Sequence, residues 1–274
     1  MHILATKEGQ WIKTMQNSDF KRCCADFYQE KISRLLFGES MHPGALDLTK
    51  ELGERLGLQK SSRVLDVACG VGTSAVFLAK NFGCHVTGLD LAEANIDEAK
   101  KVLLSRSDVS ELVDFRMGDA ECIGFEDQVF DCAVCECSLC LFPNKKKASE
   151  EIYRIIKNGG KIGVSDIVVR GSTQQSLRDS LHRFVCLLEA ENDDTYRGLL
   201  QSAGFANICV IDKKCAIIQL IEDINKKMFV IELLKGLGKI ELKVDLERTK
   251  RAIKEVRECV NSGIISYILI TGEK

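Results

Sequence analysis

Proline is nearly missing from this sequence: Pro43 and Pro143 are the only two in 274 residues. Few backbone N–H groups are lost to ring closure, so breaks between elements fall to glycine, of which there are 21. An excess of one charge is missing too. Lys plus Arg number 38 and Asp plus Glu 40, and 38 − 40 gives a net charge of −2. That balance attracts neither nucleic acid nor an anionic membrane, and no basic stretch interleaved with aromatics occurs. No apolar run approaches the roughly 18 residues of a spanning helix; Ile264–Ile270 is among the longest. Met1–Gln10 mixes charges and lacks an apolar centre, so no secretory signal is expected and the chain reads as cytoplasmic. A hydrophobic share of 45% and a charged share of 28% belong to a folded globular chain and exclude disorder and collagen-like repeats.

What is abundant is cysteine, at 13 residues. That is too dilute for a disulfide scaffold, where Cys exceeds about 8–10%, and in a cytoplasmic chain the thiols stay reduced. Two readings are open: small buried hydrophobes, or a thiolate site that selects a soft, thiophilic centre.

The pattern along the chain predicts helix from about Asn17 to Gly57, with Phe27, Ile32, Leu35 and Leu36 on one stripe. Pro43 and Gly44 interrupt it, and Leu46, Leu48, Leu52 and Leu56 resume it. Strands and helices then alternate. Strands are expected at Arg63–Ala68, His85–Leu89, Val113–Met117, Phe130–Glu136 and Lys161–Ile167, with later ones at Ile208–Asp212 and Ile264–Ile270. Helices are expected at Thr73–Asn81, Ala92–Ser105 and Lys146–Ile156, and again through about Ala203. This alternation predicts an α/β fold with a doubly wound, mostly parallel sheet. The charged, helical segment Ile217–Asn261 reads as an inserted cap with a solvated face. The implied units are an N-terminal helical cap (1–57), a Rossmann-like core (58–215), a helical insertion (216–262) and a final strand of the core sheet (263–274).

The first strand, Val64-Leu65-Asp66-Val67, runs into Ala68-Cys69-Gly70-Val71-Gly72-Thr73. Glycines at a strand-to-helix turn let a ligand approach the backbone and leave a helix N-terminus open. The loose G-x-G-x-x-A spacing also fits a dinucleotide fold, yet Asp66 inside the turn would repel a pyrophosphate. It suits an ammonium group instead. Asp90 ends the next strand 18 residues after Gly72 (90 − 72), where a carboxylate accepts ribose hydroxyls. Asp119-Ala120 follows the third strand, at the place of an adenine edge, and Gly159-Gly160 precedes the fifth.

Val64–Thr73, Gly88-Leu89-Asp90, Gly118-Asp119-Ala120 and Ile156-Lys157-Asn158-Gly159-Gly160-Lys161 resemble the motifs of class I S-adenosylmethionine-dependent methyltransferases. The resemblance spans about residues 40–215, with Ala68 where the first motif glycine usually stands. It implies a seven-stranded Rossmann-like sheet with an N-terminal helical lid, and S-adenosyl-L-methionine as cofactor. The implied cofactor contacts are Asp66, Ala68, Gly70, Gly72, Thr73, Asp90, Leu91, Asp119, Ala120 and Cys135.

Leu141-Phe142-Pro143-Asn144-Lys145, Gly163–Val168, Cys186 and Tyr196–Phe205 are similar to the arsenite methyltransferase branch and its small-molecule neighbours. In that branch three cysteines hold trivalent arsenic, and Cys186 matches one of them. Ala75 stands where the family has a cysteine after the glycine turn. The resemblance therefore implies Cys137 or Cys140 as replacement ligand, with Cys137, Cys140 and Cys186 as the catalytic set. Cys135 and Cys137 are two apart and share a face while the strand persists. Cys135-x-Cys137-x-x-Cys140 also has zinc-ligand types, but no second C-x-x-C completes a tetrahedral site. Cys209 and Cys215 are candidates for the third family cysteine by proximity in sequence, Cys23-Cys24 loosely echoes the family's N-terminal pair, and His182 lies one helical turn before Cys186. His42, ahead of the glycine turn, is a candidate base or contact.

The expected activity is methyl transfer to a small molecule or metalloid, arsenite being the sharpest guess. The alternative acceptor is a quinone-like, sterol-like or natural-product carbon or oxygen nucleophile. A non-catalytic cofactor-binding or thiol-sensing protein is a second alternative, and a nicotinamide-dependent oxidoreductase a third.

Overall fold

The computed structural model describes residues 42–171, 189–237 and 246–274. In chain order the elements are α1 (Ala45–Leu56), β1 (Arg63–Val67), α2 (Thr73–Phe82), β2 (His85–Asp90), α3 (Glu93–Leu104), β3 (Val113–Met117) and β4 (Phe130–Glu136). A short 3-10 turn, Leu139–Leu141, leads to α4 (Lys145–Ile155), β5 (Ile156–Val169), α5 (Asp193–Ala203) and β6 (Ala206–Asp212). The chain closes with α6 (Lys214–Gly236), α7 (Leu246–Asn261) and β7 (Ile265–Glu273).

Seven strands form one sheet in the order β3-β2-β1-β4-β5-β7-β6. β1 to β5 pair parallel, whereas β7 inserts antiparallel between β5 and β6. The order reverses between β1 and β4, and a crevice opens beyond the carboxyl ends of strands at such a switch point.

Alternating strand residues face opposite sides and build two separate cores. One face buries Val64, Val134, Ile167, Tyr267 and Leu269 beneath α1, α2, α6 and α7. The other buries Leu65, Val67, Ala133, Cys135, Val164 and Ile268 beneath α4 and α5. Most expected strands and helices hold within one or two residues. β5 departs furthest: it begins at Ile156 rather than Lys161, directly out of α4, with a register irregularity between Phe130 and Cys132, and β7 runs three residues further than expected, to Glu273.

The expected insertion is a helix pair packed onto the sheet, not a free-standing cap. Ile217, Ile221, Ile224, Met228 and Ile231 of α6 recur at three- and four-residue spacing and are buried in the same core as β7. Ile253, Val256 and Val260 of α7 join them. The charged residues that suggest a solvated face occupy the other side of these helices. Among the described residues, no helix is long and apolar enough to cross a membrane.

Candidate cofactor and acceptor site

The turn after β1 is held in an uncommon backbone shape. Ala68 has φ +59°, Gly70 +56° and Gly72 +80°, all in the left-handed region. Glycine adopts it freely, but an alanine costs roughly 1–2 kcal/mol. The two glycines are there for different reasons. A Cβ on Gly72 would strike the Phe115 ring, so close packing needs glycine there. A Cβ on Gly70 would meet nothing within 4 Å, so this backbone borders open space. Gly72 caps the N-terminus of α2, and in the first turn of that helix the Ala75 N–H donates to the Asp66 carboxyl.

Three carboxylates stand at the carboxyl ends of neighbouring strands: Asp66 on β1, Asp90 on β2 and Glu136 on β4. All are buried. Asp90 closes the turn: its Oδ2 accepts from the Gly70 N–H at 2.8 Å. Its Oδ1 accepts from the Ala92 N–H at 2.9 Å and from Asn95 Nδ2 at 3.1 Å. Burial raises the Asp90 pKa, and these three donors oppose the rise. Asp66 is only 2% exposed, and its Oδ2 has no hydrogen-bond partner. Burial, and then the charges of Glu136 and Asp90, push its pKa well above the usual carboxylate range. Among the described residues no Lys or Arg is paired with any of the three. A buried acid without a counter-charge is costly, and this arrangement calls for a cation.

Glu136 has partners of its own. Thr49 on α1 donates its hydroxyl between the two carboxylate oxygens, at 3.1 and 3.0 Å. His42 Nε2 lies 3.7 Å from Oε2. The sequence points to His42 but gives no sign of Thr49 or Glu136, because the contact between α1 and β4 spans 87 residues. Asn95 was also missed; it follows Asp90 by one helical turn.

The remaining implied contacts are scattered around this crevice. Leu91 presents an apolar side chain, 42% exposed, beside Asp90. Asp119 is half-buried and accepts from the Glu121 N–H at 2.9 Å, and Ala120 is buried. Thr73 opens α2.

Among the described residues, Cys135, Cys137 and Cys140 do not share one face of the sheet. β4 ends at Glu136, and Cys137 takes φ +52°, tied by its N–H to the Ser165 carbonyl at 2.6 Å. Cys135 is buried in the core under α4, whereas Cys137 packs against the opposite core. The shared face expected for them is lost because the strand stops one residue too early. Cys140 is buried on the Cys135 side, its N–H donating to Asp166 Oδ2 at 2.8 Å. Burial, then the charges of Asp166, Asp66 and Glu136, push the Cys135 thiol up, and burial with Asp66 and Asp90 does the same to Cys69. Thiols so placed disfavour the thiolate that binds soft centres. Cys186, Cys23, Cys24 and His182 lie outside the described residues. Among the described residues no group of three or more His, Cys, Asp or Glu is arranged to hold a metal ion.

An open glycine turn and three buried acids, none paired with a Lys or Arg among the described residues, meet at the switch point, and S-adenosylmethionine, with its ammonium and sulfonium, fits the orphaned Asp66 oxygen. A methyltransferase-domain family matches residues 65–164. An uncharacterized protein of Haemophilus influenzae is 30% identical over 171 residues, which cover 61% of this chain and 68% of that protein. The methyltransferase GfsG of Streptomyces halstedii is 28% identical over 204 residues, 68% of this chain and 73% of that one. The fold is similar to Haemonchus contortus phosphoethanolamine N-methyltransferase 2, solved with phosphomonomethylethanolamine and S-adenosylhomocysteine: TM-score 0.76, 20% identity, 96% of this chain covered. The chain spans 61% of that nematode enzyme. This chain belongs to the class I S-adenosylmethionine-dependent methyltransferases.

Proposed function

We propose that the protein transfers the methyl group of S-adenosylmethionine to a small organic acceptor bound beyond the carboxyl ends of β1 and β4. The observation that carries this reading is the buried Asp66 oxygen without a hydrogen-bond partner, flanked by Asp90 and Glu136. Asp66 holds the ammonium end of the cofactor through its neighbourhood, and the open Gly70 backbone admits the nucleoside. Asp90 would hold the ribose, and Leu91 and Asp119-Ala120 would line the adenine. Bound there, the cofactor supplies an already activated sulfonium methyl. The protein's task is to align the acceptor about 3–3.5 Å from that carbon and to exclude water.

An organic acceptor is favoured over trivalent arsenic by the thiols. An arsenic site needs three converging thiolates, whereas Cys137 and Cys140 belong to opposite faces of the sheet. The test is calorimetric titration with S-adenosylhomocysteine, followed by transfer of labelled methyl to organic acceptors and to arsenite. Micromolar binding with transfer to an organic acceptor is expected. Binding without any transfer would make the protein a non-catalytic cofactor binder, and arsenite methylation would restore the thiolate reading.

A further inference from the structure

His42 and Thr49 take no part in the cofactor site described above, and Glu136 lends it only charge; the hydrogen bonding of these three residues has a particular form. His42 is buried at the start of α1. Its Nδ1 lies 3.2 Å from the Pro43 carbonyl oxygen, and its Nε2 lies 3.7 Å from Glu136 Oε2. The Pro43 carbonyl and the Glu136 carboxylate are acceptors only, whereas the Thr49 hydroxyl, 3.5 Å from Nε2, can donate or accept. Thr49 has a single hydroxyl hydrogen, and around it stand both Glu136 oxygens, the Ala45 carbonyl and His42 Nε2. The group holds more acceptors than donors, so it has room for a proton.

Its position is equally specific. Glu136 is the last residue of β4, across the switch point from Asp66, which feels its charge. The next residue, Cys137, is held at positive φ, which turns the chain away and keeps the Glu136 carboxylate at the crevice end of the strand. Ser165 and Tyr267 continue the same polar row, the Tyr267 hydroxyl donating to Ser165 Oγ at 3.0 Å.

Resting on the methyltransferase reading, we propose that Glu136 with His42 is the proton sink of the reaction, and that the acceptor is therefore a nucleophile carrying hydrogen on its reacting atom: a hydroxyl or a carbon acid. The acceptor atom forms its new bond to the methyl carbon as the bond from that carbon to the sulfonium sulfur breaks. The electron pair of the broken bond stays on sulfur, giving a neutral thioether, and the acceptor's proton passes to the Glu136–His42 pair. Thr49 and His42 are positioning residues for the carboxylate. A lone-pair nucleophile without such a hydrogen, arsenite or a thioether, has no use for the group.

The experiment measures labelled-methyl transfer to catechol, acetylacetone, arsenite and dimethyl sulfide by the wild type, E136Q and H42N, with S-adenosylhomocysteine affinity measured in parallel. Expected are transfer to catechol or acetylacetone and not to the other two. E136Q lowers kcat by about 10²–10⁴-fold, and H42N by up to about 10²-fold through misplacement. In H42N the affinity for S-adenosylhomocysteine stays within twofold, which also certifies its fold, and in E136Q it falls by less than kcat does. Transfer to arsenite or dimethyl sulfide overturns the proposal, as does an unimpaired E136Q or cofactor-product binding without transfer to either hydrogen-bearing acceptor. Loss of S-adenosylhomocysteine binding in E136Q alone makes Glu136 a cofactor contact and also overturns it. No binding by the wild type removes the methyltransferase reading itself.

Discussion

Two sets of acids in this protein are treated in opposite ways. At the β5–β6 side, Arg170 donates to both oxygens of Asp193, at 2.7 and 2.8 Å, and to Asp212 at 2.8 Å. The guanidinium beside it holds Asp193 below its ordinary pKa. Burial alone would raise Asp212, but the Lys214 N–H, Arg170 and Ser266 together bring it below its usual value. At the β1–β2–β4 end, Asp66 and Asp90 are raised instead, by burial first. The paired set ties a sheet edge to its helix and is complete as it stands. The raised set weakens the ligand-free fold and is suited to a cationic ligand. The difference separates acids that tie the fold together from acids that the proposed site would use.

Several changes break or sharpen this contrast. The largest effect is expected from Gly72→Ala, which forces a methyl into the Phe115 ring at φ +80°. Denaturant unfolding should show a loss of about 2–4 kcal/mol; a loss below about 1 kcal/mol would mean that the turn relaxes freely.

Next is the pH dependence of the ligand-free protein. Asp166, buried between Cys140 and Ile167, is pushed by burial from 3.8 up to about 6. Because its folded pKa is raised, the stability it contributes is complete below about pH 4 and is lost as pH rises through 6. The shift corresponds to about 3 kcal/mol at most. Asp166→Asn should flatten that part of the curve, and an unchanged slope would argue against Asp166 as its source.

Asp66→Asn should act in two directions at once. Removing an uncompensated buried charge should stabilise the ligand-free fold by about 1 kcal/mol, whereas affinity for S-adenosylhomocysteine should fall by about 1–3 kcal/mol. Calorimetry and unfolding on the same preparation check both signs, and unchanged affinity would remove Asp66 from the site. The smallest effect is expected from Arg170→Ala. Its partners are partly exposed, so solvent screening limits the loss of stability to about 1 kcal/mol, with no effect on ligand affinity.

Much of the fold was legible because it is written locally. The strands at 64–67, 85–90, 113–117 and 130–136 are short apolar runs between turn signals, and the helices carry a one-face pattern. Gly70 and Gly72 advertised a turn open to a ligand, and the spacing to Asp90 placed a second acid beside it. The antiparallel entry of β7 between β5 and β6 left no such local mark, nor did the packing of α6 and α7 onto the sheet. Both follow from which apolar faces find each other at long range.

The site divides along the same line. The sequence by itself determined the glycine turn, the acids at two strand ends and hence the class of cofactor, because each is set by residue type and short spacing. Tertiary structure alone decided that one Asp66 oxygen has no hydrogen-bond partner among the described residues, that Cys137 and Cys140 go to opposite faces, and that His42 and Thr49 meet Glu136. Burial and side-chain direction are properties of the assembled sheet. One residue of strand termination at Glu136 is enough to separate thiols that sequence spacing places together.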